Sequence, residues 1–239
     1  MAPTSGSSGA GRLRGIDAAD IRTFCMLALT FSTGISDAVG YLALDQVFTA
    51  NMTGNVVIMG MGIGQADGLP VLGPILALVG FMAGAAIGGR FVRHEKAKWT
   101  PRVTGALFAV AAVLCATGVM LLVVPIDHGL TKPLATILLA TPMGLQAAVA
   151  RHVAVADVTT VVVTSTITGL AGDSRLGAAR EQLWVRRLLA VLAIGVGALV
   201  GAALLFIDVS AGVLASATVT VVVAAIGHHR HAVEEMDGA

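Results

Sequence analysis

One acidic residue lies within an apolar stretch near the start of the chain. Asp37 belongs to the segment 34–64, which is largely apolar and rich in glycine. Ionisable groups inside hydrocarbon are costly, and they mostly face a partner or a water-filled cavity. A carboxylate there can carry a proton or bind a cation. The alternative is a structural hydrogen bond to a neighbouring helix. We interpret Asp37 as part of a solute or ion pathway.

A cluster of small polar residues follows Asp37 in the same segment. Asparagine and threonine offer both donors and acceptors, and glycine frees the backbone between them. A half-helix at this point would present amides that attract anions or carbonyls that attract cations. The alternative is that these side chains join neighbouring helices through hydrogen bonds. The candidate binding residues are Thr49, Asn51, Thr53, Gly54 and Asn55.

A second polar group lies about 110 residues further along the chain. It consists of Gln146, Thr160 and Thr164. Because the two halves of the sequence align, pseudo-symmetry predicts that this group faces Asp37 and Asn51. Threonine also bonds readily to carbonyls of its own helix, which is the structural alternative.

The composition places these residues in a membrane protein. Of the 239 residues, 56% are hydrophobic and 12% are charged, whereas soluble domains are about 25% charged. The mean hydropathy is +0.88, and the few charges cluster between long apolar runs. This pattern is typical of polytopic membrane proteins. The predicted fold class is therefore an all-α polytopic membrane protein.

Eight apolar stretches can be traced in the chain. Six are long enough, at about 1.5 Å per residue, to cross a hydrocarbon core of about 30 Å. Two are short and interrupted by polar or small residues, at 47–64 and 158–172. The six longer stretches lie at 21–44, 71–89, 103–126, 133–150, 188–207 and 209–227.

The order long, short, long, long occurs twice. It predicts one membrane domain over 21–227, built from repeats at about 21–126 and 133–227. A disordered cytoplasmic tail is predicted at 1–20 and a polar cytoplasmic tail at 228–239. The small-residue faces Gly84/Gly88 and Gly197/Gly201 align between the repeats. Such faces suit close helix contact, including contact with a second copy of the chain.

The basic loops predict the orientation of the helices. Residues 90–102 carry five arginine and lysine residues and one glutamate, and basic loops stay in the cytoplasm. This loop lands inside only if the stretch at 47–64 does not complete a crossing, and the second half needs the same of the stretch at 158–172. The expected architecture is six full spans plus two re-entrant or broken segments, in two inverted repeats with both termini cytoplasmic. Many transporters are built this way. Eight spans in two parallel repeats is the competing topology.

Three sequence blocks resemble a known family. They are GISDA at 34–38, FTANMTGN at 48–55 and PMGLQ at 142–146. With their surroundings they resemble the YoaK family of uncharacterised bacterial inner-membrane proteins over about residues 21–227. The resemblance implies a polytopic protein of the bacterial plasma membrane and brings no established substrate. At 147–148 this chain has Ala-Ala where the family pattern leads us to expect Asn-Ala, which removes one polar group.

Two classes of function fit these observations. The first is a secondary transporter or channel for a small polar solute or ion, with a site at the midplane. The second is a non-transport membrane scaffold, sensor or assembly factor, whose glycine faces would bind a partner. Polar residues of both halves converging on one cavity would favour the first class.

Other classes are not expected from the sequence. The chain contains no P-loop, GxSxG, HExxH or CxxC motif, so we expect neither an enzyme nor an ATP-driven pump. No cofactor or metal is predicted. The expected partners are the lipid bilayer and the transported solute or ion, and nucleic acid is not among them.

Overall fold

The computed structural model describes residues 18–66, 68–95, 99–153, 163–174, 177–178 and 183–237. Within these ranges the chain forms eight helices. They are α1 (Ala18–Ala43), α2 (Met52–Ile63), α3 (Leu72–Phe91), α4 (Pro101–Val123), α5 (Thr131–Val153), α6 (Val163–Gly172), α7 (Trp184–Leu204) and α8 (Val209–Asp237).

Six of these helices, α1, α3, α4, α5, α7 and α8, are long and apolar enough to cross a membrane. The other two are short. The 12 residues of α2 extend about 18 Å, less than the thickness of the hydrocarbon core. The prediction of an all-α polytopic membrane protein is therefore confirmed. Eight full spans do not fit α2.

Glycines allow α1 and α7 to cross in close contact. A Cβ atom on Gly34 would collide with the carbonyl oxygen of Ile194, and one on Gly197 would collide with the carbonyl oxygen of Phe31. Each glycine thus makes room for the backbone of the other helix. Any larger residue at either position would push the two helices apart.

The pair α3 and α5 crosses in the same reciprocal way. A Cβ atom on Gly84 would collide with the carbonyl oxygen of Thr141, and one on Gly144 would collide with that of Phe81. The α1–α7 contact therefore has a counterpart in the α3–α5 contact. Small residues from both halves of the chain are used in each.

The glycine faces are consequently occupied inside the chain. Gly88 lies against Leu145, and Gly201 lies against Ile35. All four glycines of the two faces are buried. Contrary to the prediction, neither the Gly84/Gly88 face nor the Gly197/Gly201 face is available to a second copy of the chain.

Paired contacts give the relative directions of the helices. Within residues 31–38 of α1 and 194–201 of α7, later residues of one helix contact later residues of the other, so these helices run parallel. Residues 80–88 of α3 advance with 137–148 of α5 in the same manner. The helix α8 is antiparallel to α1, since Ser32 contacts Ser216 while Val39 lies beside Gly212. It is also antiparallel to α4, because Gly118 contacts Leu214 while Trp99 lies beside Gly227.

Because of these directions, the starts of some helices lie beside the ends of others on one side of the bundle. One apolar cluster joins the start of α1 and α4 to the ends of α3, α5 and α8; it includes Met26, Trp99 and Val153. Arginines stand at the helix ends on this side: Arg22, Arg90, Arg102, Arg151 and Arg230. A second cluster fills the opposite half of the bundle. The helix α8 continues through the polar residues after Gly227 as far as Asp237.

Candidate functional site

The chain turns back into the bundle after α1. The backbone amides of Thr49 and Ala50 donate hydrogen bonds to Oδ1 of Asp37, at 2.8 and 2.7 Å. Asp37 lies six residues before the end of α1, about 9 Å along the helix. Residues 44–51 must therefore descend by that distance, and α2 begins inside the bundle rather than at its surface.

Asp37 holds this loop in place. The hydroxyl of Thr49 lies 3.1 Å from Oδ1 of Asp37 and 3.1 Å from the hydroxyl of Ser36. Three hydrogen bonds from Thr49 and Ala50 reach Oδ1 of Asp37. Hydrogen bonds to an ionised group are stronger than neutral ones. The buried acid thus has a structural role as well as a position in the site.

Asn55 provides a second attachment for the same loop. Its Nδ2 donates to the carbonyl of Phe48 at 2.7 Å, and its Oδ1 accepts from the Phe48 amide at 2.9 Å. Asn51 caps α2 by accepting a bond from the Gly54 amide at 3.3 Å. Backbone groups outside a regular helix are tolerated at membrane depth only where the protein satisfies them. Here Asn55 and Asp37 form the hydrogen bonds that these backbone groups of the loop need.

A cavity of about 640 Å³ opens beside this loop, between α1, α2, α6 and α7. Five of the predicted site residues line it: Asp37, Asn51, Thr53, Gly54 and Thr164. The other lining residues are Thr33, Tyr41, Phe48, Ala50, Val57, Ile58, Val163 and Ile194. Asp37 and Asn51 belong to the first half of the sequence and Thr164 to the second, so both halves contribute to one cavity.

Three other predicted site residues do not line the cavity. Thr49 and Asn55 are buried and hold the loop. Gln146 is buried between α1 and α5, where its Nε2 donates to the hydroxyl of Thr33 at 3.2 Å. Gln146 therefore reaches the cavity through Thr33 rather than directly. Thr160 lies outside the described residues.

Two further residues of α1 complete the wall. Thr33 and Tyr41 are four residues before and after Asp37, a spacing that places all three on one face of a helix. That spacing could have identified them from the sequence. The ring of Tyr41 stacks on Phe48, with centroids 5.0 Å apart and planes inclined at 26°. This contact between α1 and the returning loop has no signal in the sequence.

The electrostatics of the wall are simple. Asp37 is the one formally charged side chain among the described residues that line the cavity. The start of α2 lies beside it, and a helix N-terminus carries about half a positive charge. The electrostatic potential inside the cavity is therefore negative when Asp37 is ionised.

The fold and the cavity define a class: a polytopic α-helical membrane protein in which a short helix starts inside the bundle beside a buried acid. Residues 25–227 match the family described as protein of unknown function DUF1275. The match covers most of the chain, so the protein belongs to this family.

A relative supports the same assignment. The chain is 34% identical over 160 residues to the UPF0700 transmembrane protein YoaK of Bacillus subtilis (strain 168). The aligned part covers 65% of this chain and 68% of that protein. The predicted resemblance to the YoaK family is confirmed, as is a multi-pass membrane protein. No solved structure is significantly similar to the chain.

Proposed function

We propose that this protein is a secondary transporter or channel for a small polar solute or ion, and that the cavity beside Asp37 is its binding site. One observation carries the proposal: polar residues from both halves of the sequence line the same cavity. Asn51 and Thr53 come from the first short segment, and Thr164 comes from the second. Transporter sites typically form where two broken segments meet in this way.

The arrangement of the long helices supports an inverted repeat. The helix α1 runs parallel to α7, and α3 runs parallel to α5, with the same reciprocal glycine contacts. The helices α1, α4 and α7 run in one direction and α3, α5 and α8 run in the other, so each long helix of the first half runs opposite to its counterpart in the second. Two halves of opposite direction around one site are common among secondary transporters.

The charge distribution supports a cytoplasmic location for both termini. The helix ends next to the first apolar cluster carry arginines, and the positive-inside rule assigns that side to the cytoplasm. On the opposite side Lys132 pairs with Asp127 at 2.8 Å and lies 4.0 Å from Asp45. Asp37 then sits in the outer half of α1, so the proposed site lies between the midplane and the outer surface.

The scaffold alternative has less support. It relied on glycine faces that could bind a partner, and those faces pack within the chain. The transporter proposal relies instead on a cavity that polar residues from both halves of the sequence line, which a scaffold does not need.

Transport can be tested with the purified full chain in liposomes. Charge movement on a solid-supported membrane would be recorded for a panel of small cations, anions and amino acids, with a pH-sensitive dye reporting proton flux. We expect at least one solute to produce a saturable signal. Asp37→Asn should reduce this signal at least tenfold, because the amide keeps the shape of the carboxylate and removes its charge.

Asp20→Asn is the matched control, since Asp20 is an exposed acid in the first turn of the same helix. This variant should transport normally. Wild-type protein that moves no solute of the panel would contradict the proposal. Unchanged transport in Asp37→Asn would show that the cavity beside Asp37 is not the pathway.

A further inference from the structure

We propose that the cavity takes a small organic cation, with an amine or quaternary ammonium group held between Asp37 and the ring pair Tyr41–Phe48. This inference rests on the proposed function, since it names the class of solute that the same cavity would bind.

The charge of the wall selects a cation. Asp37 carries a negative charge when it is ionised, and no basic side chain is present among the described lining residues. The positive end of α2 offsets about half of that charge. An anion in this space would face the carboxylate at short range in a medium less polar than water, where like charges repel strongly. A cation would compensate the buried acid.

The aromatic pair selects an organic cation. Ammonium and quaternary ammonium groups bind favourably against the faces of tyrosine and phenylalanine rings. Tyr41 and Phe48 are stacked on each other and line the cavity together with Asp37, which lies one helical turn before Tyr41 in α1. The carboxylate and the rings therefore form a compact recognition surface for a positively charged nitrogen.

The size of the cavity points away from an inorganic ion. A bare metal cation needs several oxygen ligands converging at about 2.0–2.6 Å, whereas here Thr33, Thr53 and Thr164 belong to three different helices around a space of about 640 Å³. This volume lies in the range of small-molecule sites, about 300–1,000 Å³. Apolar residues such as Val57 and Ile194 complete the wall and suit the carbon part of the solute.

The test compares a cation with its neutral isostere. Choline and 3,3-dimethylbutan-1-ol have the same shape and differ in the charge of one atom. Binding of each, and of tetraethylammonium and acetate, would be measured on the purified full chain by the shift of its unfolding temperature and by calorimetric titration. We expect saturable binding of the two ammonium compounds and at least tenfold weaker binding of the neutral alcohol and of acetate.

Ring variants make the test specific. Tyr41→Leu should weaken ammonium binding about tenfold, while Tyr41→Phe, which keeps the ring, should bind within about twofold of wild type. Neither change touches the hydrogen bonds of Asp37, so both proteins should fold. Asp37→Asn should weaken ammonium binding more than Tyr41→Leu does.

The outcomes separate the two proposals. Preferential binding of acetate or of the neutral alcohol would overturn the organic-cation inference and leave a transport site in place. Equal ammonium binding by wild type, Tyr41→Leu and Asp37→Asn would also overturn it. If the solute panel in liposomes gives no signal and no probe binds, the transporter proposal fails together with this inference.

Discussion

The two short helices, α2 and α6, are attached to the bundle in different ways. The start of α2 is held by Asp37 and Asn55, which bond to four backbone groups of the preceding loop. Just after the end of α6, Asp173 pairs with Arg187 of α7 at 2.9 Å. Two residues of α2 are buried, and none of the described residues of α6 is.

The sequence explains this difference. Asp37 in α1 aligns with Ala147 in α5, so the second half has no acid at the position that matches Asp37. A buried carboxylate with several hydrogen bonds fixes a loop firmly. We therefore interpret α2 as a wall of the cavity that buried hydrogen bonds hold in place. The contrast leads to four predictions, in order of expected effect.

Removing the acid should have the largest effect. Asp37→Ala leaves the amides of Thr49 and Ala50 without a partner inside the membrane, so we expect a loss of about 3 kcal/mol or more in the free energy of unfolding. Asp37→Asn keeps an acceptor for these amides and should lose less than half as much. Thermal unfolding in detergent measures both. Equal stability of wild type and Asp37→Ala would show that the acid does not hold the loop.

Removing the second attachment should cost somewhat less. Asn55→Ala breaks both hydrogen bonds to Phe48, and we expect a loss of about 2 kcal/mol. The matched change in the other segment is Thr164→Ala, which should cost less than about 0.5 kcal/mol because the side chain lines a cavity. The same unfolding assay decides. Similar losses for both variants would remove the contrast between the two segments.

The ion pair of the second segment should contribute less again. The side chains of Arg187 and Asp173 are 14% and 27% exposed, and partly exposed pairs are worth about 1 kcal/mol or less. Arg187→Met should therefore destabilise the protein slightly. Arg102→Met, which breaks the more exposed pair with Glu95, is the control and should cost less than Arg187→Met. A loss as large as that of Asp37→Ala would mean that α6 is held as firmly as α2.

The smallest effect is expected at Thr168. Its hydroxyl donates to the carbonyl of Thr164 within α6 at 2.9 Å and is exposed. Thr168→Ala removes only this bond within the helix and improves helix propensity, so the unfolding free energy should change by less than about 0.5 kcal/mol. A larger change would indicate that Thr168 contacts another part of the protein.

Much of the architecture could be predicted from residue patterns. Runs of apolar residues and basic loops gave six long helices and two short segments, because length and charge are local properties of a sequence. The position of Asp37 within an apolar run pointed to the cavity for the same reason. The four-residue spacing of Thr33, Asp37 and Tyr41 also indicated that all three lie on one helix face, which the apolar composition of the run does not show.

Other features depend on which helices become neighbours. The glycine faces were expected to bind a second copy, yet small residues allow close approach of any helix, and in this chain α1 and α5 occupy them. Gln146 was expected to face Asp37 directly. It lies on the face of α5 that contacts α1 and bonds to Thr33 instead. Helix rotation of this kind is determined by tertiary packing.

The most direct test of the account is the access of water to both walls of the cavity. Cysteine would be placed at Thr53 or at Thr164 in a chain whose Cys25 and Cys115 are replaced by alanine, and membrane-impermeant thiol reagent would be added to proteoliposomes with and without permeabilisation. Leu199, which is 68% exposed on the apolar surface of α7, gives the lipid-facing control. We expect both cavity positions to react and Leu199→Cys to remain unlabelled. Failure of Thr164→Cys to react, with Thr53→Cys reactive, would contradict a single cavity built from both halves of the chain.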